Sequence, residues 1–207
     1  MARYRGPVVK LSRREGEALS PKAEKALSGE NSRNFPPGQH GKNRRSRPSE
    51  YGRQLREKQK CKRIYGLLEK QFRNYFEKSS REKGITGDLL LQKLESRLDN
   101  VVFRMGFAPS RPAARQLIVH GHFHINGKKV DIPSYLLSDG DRIQVKEKSK
   151  KLDIIHLGLR GGKYGVSEYS WLDVDKAGLE GTYLHSPVRE EIPVNVNENL
   201  IVELYSK

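Results

Sequence analysis

Cysteine is almost absent from this chain, which holds one, Cys61, among 207 residues. A single cysteine excludes an intramolecular disulfide, a zinc site built on two or four cysteines, and a CxxC redox pair. No run of 18 apolar residues is present, and the first 17 residues lack the apolar core of a signal peptide. We therefore expect neither membrane insertion nor secretion, and a cytosolic or organelle-matrix location is the default.

Acidic residues are few relative to basic ones, since 25 Asp and Glu stand against 40 Lys and Arg, a formal net charge of +15. The excess is segregated: residues 1–63 carry 18 basic and 6 acidic residues, whereas residues 64–207 carry 22 and 19. Ten of these cations fall within residues 42–63. That density is typical of a surface that binds phosphate groups, and a solvated charge run is the plainer alternative.

The acidic residues concentrate near the other end of the chain. Residues 165–206 hold eight acids against Lys176 and Arg189. We expect this segment to face solvent, another protein or the basic N-terminal residues rather than nucleic acid.

The first half of the chain changes from irregular to helical. Residues 1–48 lack sustained periodicity and contain many prolines and glycines, which predicts an irregular basic arm, with a short helix at 21–27 as an option. From Ser49, a plausible N-cap, apolar residues recur at helical spacing as far as Phe76.

The pattern of the next 60 residues predicts a compact α+β module. Asp88 caps a predicted helix over 89–105, and a short helix follows Ser110 and ends at Gly121. The Asn126-Gly127 pair supplies the positive φ values of a type I′ turn and predicts a β-hairpin. Alternating residues up to Val145 predict a further strand.

We therefore expect an α+β fold with a mostly helical N-terminal domain, a small module of two helices, a β-hairpin and a further strand, and a C-terminal segment that packs back on the helical domain. The expected parts are an arm at 1–48, a helical domain at 49–92, the module at 93–150, and an extension with the C-terminal segment at 151–207. Trp171 is expected to pack in the interior.

Polar residues on the short helix and hairpin suggest RNA binding, because guanidinium groups bridge phosphates and imidazoles reach sugars or base edges. As ordinary surface charges they would be unremarkable. They are Ser110, Arg111, Arg115, Gln116, His120 and Lys128.

Other chemical signals are weak. His120, His122 and His124 alternate as metal ligands on a strand do, but no carboxylate or cysteine lies close in sequence, so we expect no metal. Residues 157–164 lack the spacing and the Ser or Thr of a nucleotide-binding loop. No catalytic set is suggested, and Asp99 and Glu95 are expected to pair with Lys93 or Arg97.

One known family resembles this sequence over nearly its whole length. The stretch LESRLDNVVFRMGFAPSRPAARQLIVHGHFHINGKKVDIPSYLLSDGDRIQV is similar throughout to the RNA-binding module of small-subunit ribosomal protein four. MARYRGPVVKLSRREG, PPGQHG, YGRQLREKQKCKRIYGLLEKQFRNYF and NENLIVELYSK match the flanks of that family. The chain is identified as a member on these motifs.

The resemblance implies a structural protein without catalysis or cofactor, located in the small ribosomal subunit. It implies binding to the 5′ domain of small-subunit rRNA, nucleation of the subunit body, a place beside the mRNA entry channel with an effect on translational accuracy, and contact with neighbouring ribosomal protein five. Repression of its own operon by mRNA binding is an open option on the same grounds, and no homo-oligomer is expected. Some members bind zinc through four N-terminal cysteines, which this chain lacks.

The resemblance also carries expected RNA contacts onto this chain. These are Arg3, Tyr4, Arg5, Lys10, Arg13, Arg14, Gly38, Gln39, His40, Gly41, Tyr51, Gln54, Arg56, Lys58, Lys60, Arg63, Arg111, Arg115 and His120. The residue pattern itself adds Lys42, Arg44, Arg45 and Arg47 of the basic run, and Gln116 and Lys128 of the module.

A rival class is an RNA-modifying enzyme or tRNA-binding factor that uses the same module. An enzyme would need a separate catalytic domain, and the chain outside the module offers little room for one.

Overall fold

The computed structural model describes residues 4–28, 33, 35–42, 47–160 and 169–206. The chain forms two compact units. Unit 1 comprises Met1–Gly87 and Val194–Lys207, and unit 2 comprises Asp88–Pro193. Within the described ranges there are nine α-helices and one five-stranded sheet, so the predicted α+β fold class is confirmed. None of the helices in these ranges is long and apolar enough to cross a membrane.

Unit 1 is helical, and helix α5 begins at its boundary with unit 2. Its helices are α1 Val8–Glu15, α2 Pro21–Leu27, α3 Glu50–Ile64, α4 Glu69–Ser80 and α9 Glu198–Tyr205, and α5 runs over Thr86–Glu95. The optional helix at 21–27 is confirmed. Helix α1 was not predicted, because its buried positions are polar: Ser12 is fully buried, and the Glu15 side chain is 1% exposed.

The helical stretch that begins after Ser49 is two helices rather than one. The Ser49 hydroxyl accepts a hydrogen bond from the Gly52 amide and caps α3, as predicted. Gly66, with φ 65°, then ends the helix in a left-handed cap. The Leu67 amide donates to the Lys62 carbonyl, and the Gly66 amide donates to the Arg63 carbonyl, which is the Schellman pattern.

The C-terminal helix packs back on the helical unit, as predicted. The Gln54 amide nitrogen on α3 donates to a Glu203 carboxylate oxygen over 2.9 Å. The Tyr205 ring stacks on Phe76 and Phe72 of α4, with centroids 4.5 and 6.4 Å apart. Residues far apart in the sequence thus complete unit 1.

Unit 2 contains the sheet, whose strands are all antiparallel in the order β2-β1-β3-β5-β4. The strands are β1 Phe123–Ile125, β2 Lys128–Lys129, β3 Arg142–Val145, β4 Leu172–Asp175 and β5 Glu180–Tyr183. Asn126 and Gly127 have φ values of 49° and 77°, which confirms the predicted hairpin turn. Strands β4 and β5 extend the module sheet beyond the predicted hairpin and strand.

Three more helices complete unit 2, and the predicted single helix over 89–105 is wrong. The helices are α6 Leu98–Arg104, α7 Arg111–Val119 and α8 Asp153–Leu159. Helix α5 stops before Ser96 and α6 starts after Arg97, because both residues pair with a later segment. The Leu137 amide donates to the Ser96 carbonyl, and Arg97 forms a β-bridge with Leu136.

The core of unit 2 lies between the helices and one face of the sheet. Phe123, Ile143 and Tyr183 on the strands are fully buried with Val101 and Ile118 of the helices. Trp171 is 1% exposed and belongs to this core, as predicted. The opposite face of the sheet therefore carries the polar residues of the same strands.

Candidate nucleic-acid interface

The outer side of α1 presents cations to solvent. Lys10 and Arg14 are both exposed, and their spacing of four residues puts them on one side of the helix. The opposite side holds Ser12, whose hydroxyl accepts a hydrogen bond from the Leu19 amide over 3.2 Å. Helix α1 therefore has a packed polar side and a solvent-facing basic side.

Arg13 ties α1 to the following loop instead of facing solvent. Its Nε donates to the Phe35 carbonyl over 3.0 Å, and its guanidinium lies 4.9 Å from the centre of the Phe35 ring. The Lys42 ammonium lies 5.4 Å from the centre of the same ring. Phe35 thus holds two cations of the predicted interface close together.

The glycine-containing loop at 38–41 forms a tight turn. The Gly41 amide donates to the Gly38 carbonyl over 3.2 Å, and Gly38 has φ 115°, a value that side chains disfavour. Gln39 and His40 at the tip are exposed. The turn therefore offers backbone and two polar side chains to a ligand.

Two acids from the N-terminal segment pair with cations of α3. The buried Glu15 carboxylate accepts from Arg56 over 3.1 Å and also from Arg63. Burial raises the pKa of Glu15, and the two guanidinium groups act against that rise. Glu17 accepts from Lys60 over 2.8 Å.

A third acid, Glu69 at the start of α4, holds two further cations of α3. Its carboxylate accepts from Lys58 over 2.5 Å, from Lys62 over 2.8 Å and from the Tyr205 hydroxyl over 3.0 Å. Partial burial would raise the pKa of Glu69, but the hydrogen bonds from the two lysines lower it to about 2. The carboxylate is therefore charged throughout the physiological pH range.

Five residues of α3 that sequence reasoning placed at the RNA have partners inside unit 1. Gln54, Lys58 and Lys60 are buried, at 2%, 8% and 7% exposure. Arg56 and Arg63 are half-buried against Glu15. Their role as RNA contacts stays a prediction, and it would require phosphates to compete with these carboxylates.

The other predicted contacts of unit 1 are exposed or lie outside the described residues. Arg3, Arg44 and Arg45 belong to the second group. The exposed residues are Tyr4, Arg5, Lys10, Arg14, Gly38, Gln39, His40, Lys42, Arg47 and Tyr51.

In unit 2, the two predicted arginines of α7 are engaged in a polar network. Arg111 donates from Nε to the Asn100 side-chain oxygen over 2.7 Å and lies 4.6 Å from the centre of the Phe103 ring. Arg115 is 7% exposed, and its Nη1 lies 3.8 Å from an Asp99 carboxylate oxygen. Arg115 is therefore part of the interior of unit 2, although the sequence predicts that it lies on the helix surface.

Buried ion pairs extend this network beneath α7. Asp99 accepts two hydrogen bonds from Arg97, which confirms one predicted pairing. Glu95 accepts two from Arg104, over 3.1 and 2.8 Å, and one from the Asn100 amide. The network holds α6 and α7 together in addition to their apolar packing.

Three other predicted contacts of unit 2, Gln116, His120 and Lys128, are exposed. Sequence reasoning missed their neighbours on the outer sheet face. Lys129 pairs with His124 across β2 and β1, and Lys146 donates its amide to the His122 carbonyl. The alternation of histidines with apolar residues in β1 was the available signal.

The alternating histidines do not meet a set of further metal ligands in the described part of the chain. No group of three or more His, Cys, Asp or Glu side chains there is placed to hold a metal ion. His120 and His122 are neighbours, with ring centroids 6.0 Å apart, but Ser149 rather than a third ligand meets His122, over 2.9 Å.

Comparison with known proteins finds two family matches in successive parts of the chain. Residues 3–95 match the ribosomal protein S4/S9 N-terminal domain, and residues 96–143 match the S4 domain. Relatives that span the full length of both chains include the small ribosomal subunit proteins uS4 of Parabacteroides distasonis, 55% identical, and of Bacteroides fragilis and Chlorobaculum tepidum, each 54% identical. The chain therefore belongs to the family of small ribosomal subunit protein uS4.

Proposed function

We propose that the chain, a structural and non-enzymatic protein of the small ribosomal subunit, is a primary binder of the 5′ domain of small-subunit rRNA. Family membership supports the structural role in the subunit, which is cytoplasmic in bacteria. The observation that carries RNA binding is the solvent-facing basic side of α1, where Lys10 and Arg14 lie on a helix whose other side is packed. Helix-borne cations hold fixed spacings, which suits recognition of several phosphates at once.

Selectivity in this proposal comes from RNA shape. The deep groove of A-form RNA is closed to side chains, so a junction with a defined arrangement of phosphates is the target that fixed cations distinguish best. The exposed turn at 38–41 lets backbone amides approach the RNA closely. Binding of this kind would order the rRNA early and so nucleate assembly of the subunit body.

We assign one proposed role to each of the four segments predicted from the sequence. Residues 1–48 act as the RNA-binding arm, 49–92 as the helical domain, 93–150 as the RNA-binding module, and 151–207 as the extension and C-terminal segment. The module supplies a second RNA contact through Gln116, His120 and Lys128.

A protein partner is proposed for the acidic side of unit 2. Asp173 and Asp175 on the edge strand β4 are exposed, and Glu180 lies beside them on β5. An acidic edge repels RNA and favours a basic protein surface. Ribosomal protein five near the mRNA entry channel is the proposed neighbour, and this contact would link the chain to translational accuracy.

Repression of the chain's own mRNA is proposed as a second use of the same basic surface. It requires only that a folded segment of the message reproduce the phosphate arrangement of the rRNA junction. We propose that the chain acts as a monomer in both roles.

The test is filter binding of the full chain to a transcript of the rRNA 5′ domain across a salt series, with excess tRNA as competitor. We expect tight binding that survives the tRNA, with a log-log salt slope of about 0.7 to 0.9 for each phosphate neutralised. Binding that tRNA abolishes would contradict the proposal and favour a tRNA-binding factor that carries the same module.

A further inference from the structure

The outer face of the unit 2 sheet is divided into a basic half and an acidic half. Buried Phe123, Ile125, Ile143 and Val145 point to the core, so the residues between them point away from it. The basic half consists of His122, His124, Lys129 and Lys146, and His120 lies next to it at the C-terminal end of α7, with its ring near that of His122. We call these five residues the histidine face.

The acidic half lies on the neighbouring strands of the same sheet. Gln144 of β3 marks the division, since it pairs with His124 on one side and Glu180 on the other. Its amide nitrogen donates to the Glu180 carboxylate over 2.8 Å, and Arg142 donates to the same carboxylate. Asp175 pairs with Glu180 from the edge strand. An anion on this sheet is therefore directed to the histidine face.

His122 lies near the middle of the histidine face and is held in a defined position. Its Nδ1 is 2.9 Å from the Ser149 hydroxyl, contributed by the 3₁₀ turn Glu147–Ser149. Its ring centroid is 6.0 Å from that of His120, at the C-terminal end of α7. Lys146 faces it from the end of β3.

Lys129 and Glu147 are two further charged residues on elements next to these histidines. Lys129 of β2 faces His124, and its side chain passes over Gly121. Glu147 of the 3₁₀ turn is paired with Lys150 over 2.7 Å. Burial lowers the pKa of His122, and the charges of His120 and Lys146 lower it further. Both effects oppose protonation of His122 in the free protein.

We infer that the histidine face is an RNA-backbone site of its own, whose bound phosphates favour uptake of protons from solvent by the histidines and so make the affinity depend on pH. The inference rests on the proposed function, since it assigns a second surface and a regulation to the same RNA partner. A phosphate placed among cations and imidazoles stabilises the charged imidazole and accepts its hydrogen bond. Binding then takes up protons, so affinity rises as the pH falls through the histidine range.

This pH dependence separates the histidine face from the basic side of α1. The basic side of α1 carries Lys10 and Arg14, and α1 contains no histidine. His40 at the 38–41 turn is also a predicted RNA contact, and every variant retains it. The difference between variants therefore reports the histidine face alone.

The experiment measures binding of the full chain to the rRNA 5′-domain transcript at pH 6, 7 and 8, each across a salt series. It compares the wild type with the triple variant His120→Asn, His122→Asn, His124→Asn. The matched control is His156→Asn with His185→Asn, which removes two exposed histidines of unit 2 that lie outside the histidine face.

We expect wild-type affinity to rise about tenfold from pH 8 to pH 6, and the triple variant to lose most of that rise. The wild-type salt slope should be steeper at pH 6 than at pH 8 by about 0.7 to 0.9 for each additional phosphate neutralised. The control variant should follow the wild type at every pH.

Two outcomes would contradict the inference, and only one of them would also contradict the proposed function. Equal pH dependence in the wild type and the triple variant would overturn the inference and leave the proposed function intact. Failure of the wild type to bind the transcript selectively at any pH would overturn both. If the triple variant unfolds, the double variant His120→Asn, His124→Asn keeps the His122 bond to Ser149, and it should lose part of the same pH dependence.

Discussion

Arg97 and Asp99 form a two-bond ion pair in the interior of unit 2. Arg97 donates from Nε and Nη2 to the two carboxylate oxygens of Asp99, over 3.0 and 2.6 Å, and both side chains are almost fully buried. The pair lies at the break between α5 and α6, where the chain also bridges to Leu136. It therefore fixes the direction in which α6 leaves the break, and α6 is the helix on which α7 packs.

The first prediction concerns loss of this pair. Asp99→Ala should lower the free energy of unfolding by about 3 to 5 kcal/mol, because it leaves the Arg97 charge buried without its carboxylate. Urea denaturation followed by circular dichroism measures the change. Asp173→Ala, on the exposed edge strand, removes the same charge and should stay within about 0.5 kcal/mol of the wild type. A small effect of Asp99→Ala would show that water or another residue compensates Arg97.

The second prediction concerns pH and Glu69. The pKa of this carboxyl in the folded chain is about 2, below its ordinary value of 4.5. As the pH falls, the unfolded chain takes up this proton first, so the stabilisation is complete above about pH 4.5 and is lost toward pH 2. Glu69→Gln should be less stable than the wild type by about 1 kcal/mol at pH 7, because the carboxylate is half exposed and screened by solvent.

The measurement for Glu69 is the difference in unfolding free energy between the wild type and Glu69→Gln at pH 7 and at pH 2.5. The difference should shrink as the pH falls. Glu190→Gln changes an exposed carboxyl that has no such partners in the described part of the chain, and it should show no such trend. A difference that stays constant with pH would mean that Glu69 acts through packing alone.

The third prediction concerns close packing of α8. A Cβ at Gly158 would lie 2.8 and 2.9 Å from the backbone nitrogen and carbonyl carbon of Ala108. These distances are too short, and a side-chain rotation cannot relieve the clash because both Ala108 atoms belong to the backbone. Gly158→Ala should destabilise the chain by about 1 to 3 kcal/mol, although alanine normally favours a helix over glycine. Leu157→Ala, at a neighbouring position that is 59% exposed, is the comparison and should cost less. Thermal unfolding of both variants tests this.

The elements that sequence reasoning predicted correctly are those set by local chemistry. The hairpin follows from the positive φ values that Asn126 and Gly127 tolerate, and α7 follows from the Ser110 side chain, which accepts from the Ala113 amide. The break at Ser96 and Arg97 was not predictable in the same way. It depends on hydrogen bonds to residues about 40 positions later, and nothing in the local sequence opposes a continuous helix.

The environment of the α3 residues in the candidate site could not be predicted from the local sequence either. Helical spacing places Arg56, Lys60 and Arg63 on the surface of α3 when α3 is considered alone. The structure brings Glu15 and Glu17 against them from a segment more than 40 residues away. Lys10 and Arg14, by contrast, are exposed on α1.

The last prediction tests that basic side of α1. The double variant Lys10→Gln, Arg14→Gln should bind the rRNA 5′-domain transcript more weakly and lower the log-log salt slope by about 0.7 to 0.9 for each phosphate that the variant no longer neutralises. Its unfolding free energy should stay within about 0.5 kcal/mol of the wild type, since both side chains are exposed. Salt-dependent filter binding and urea denaturation measure the two effects separately.

The matched control is Lys70→Gln with Lys78→Gln, two exposed lysines on α4 outside the predicted interface. Both double variants lower the net charge equally, so a purely diffuse attraction to RNA would weaken by the same factor in each. Direct binding of phosphates by α1 predicts a lower salt slope for the α1 variant alone. If the two variants lose affinity equally, the basic side of α1 attracts RNA only through net charge, and the rRNA-binding residues must lie elsewhere on the chain.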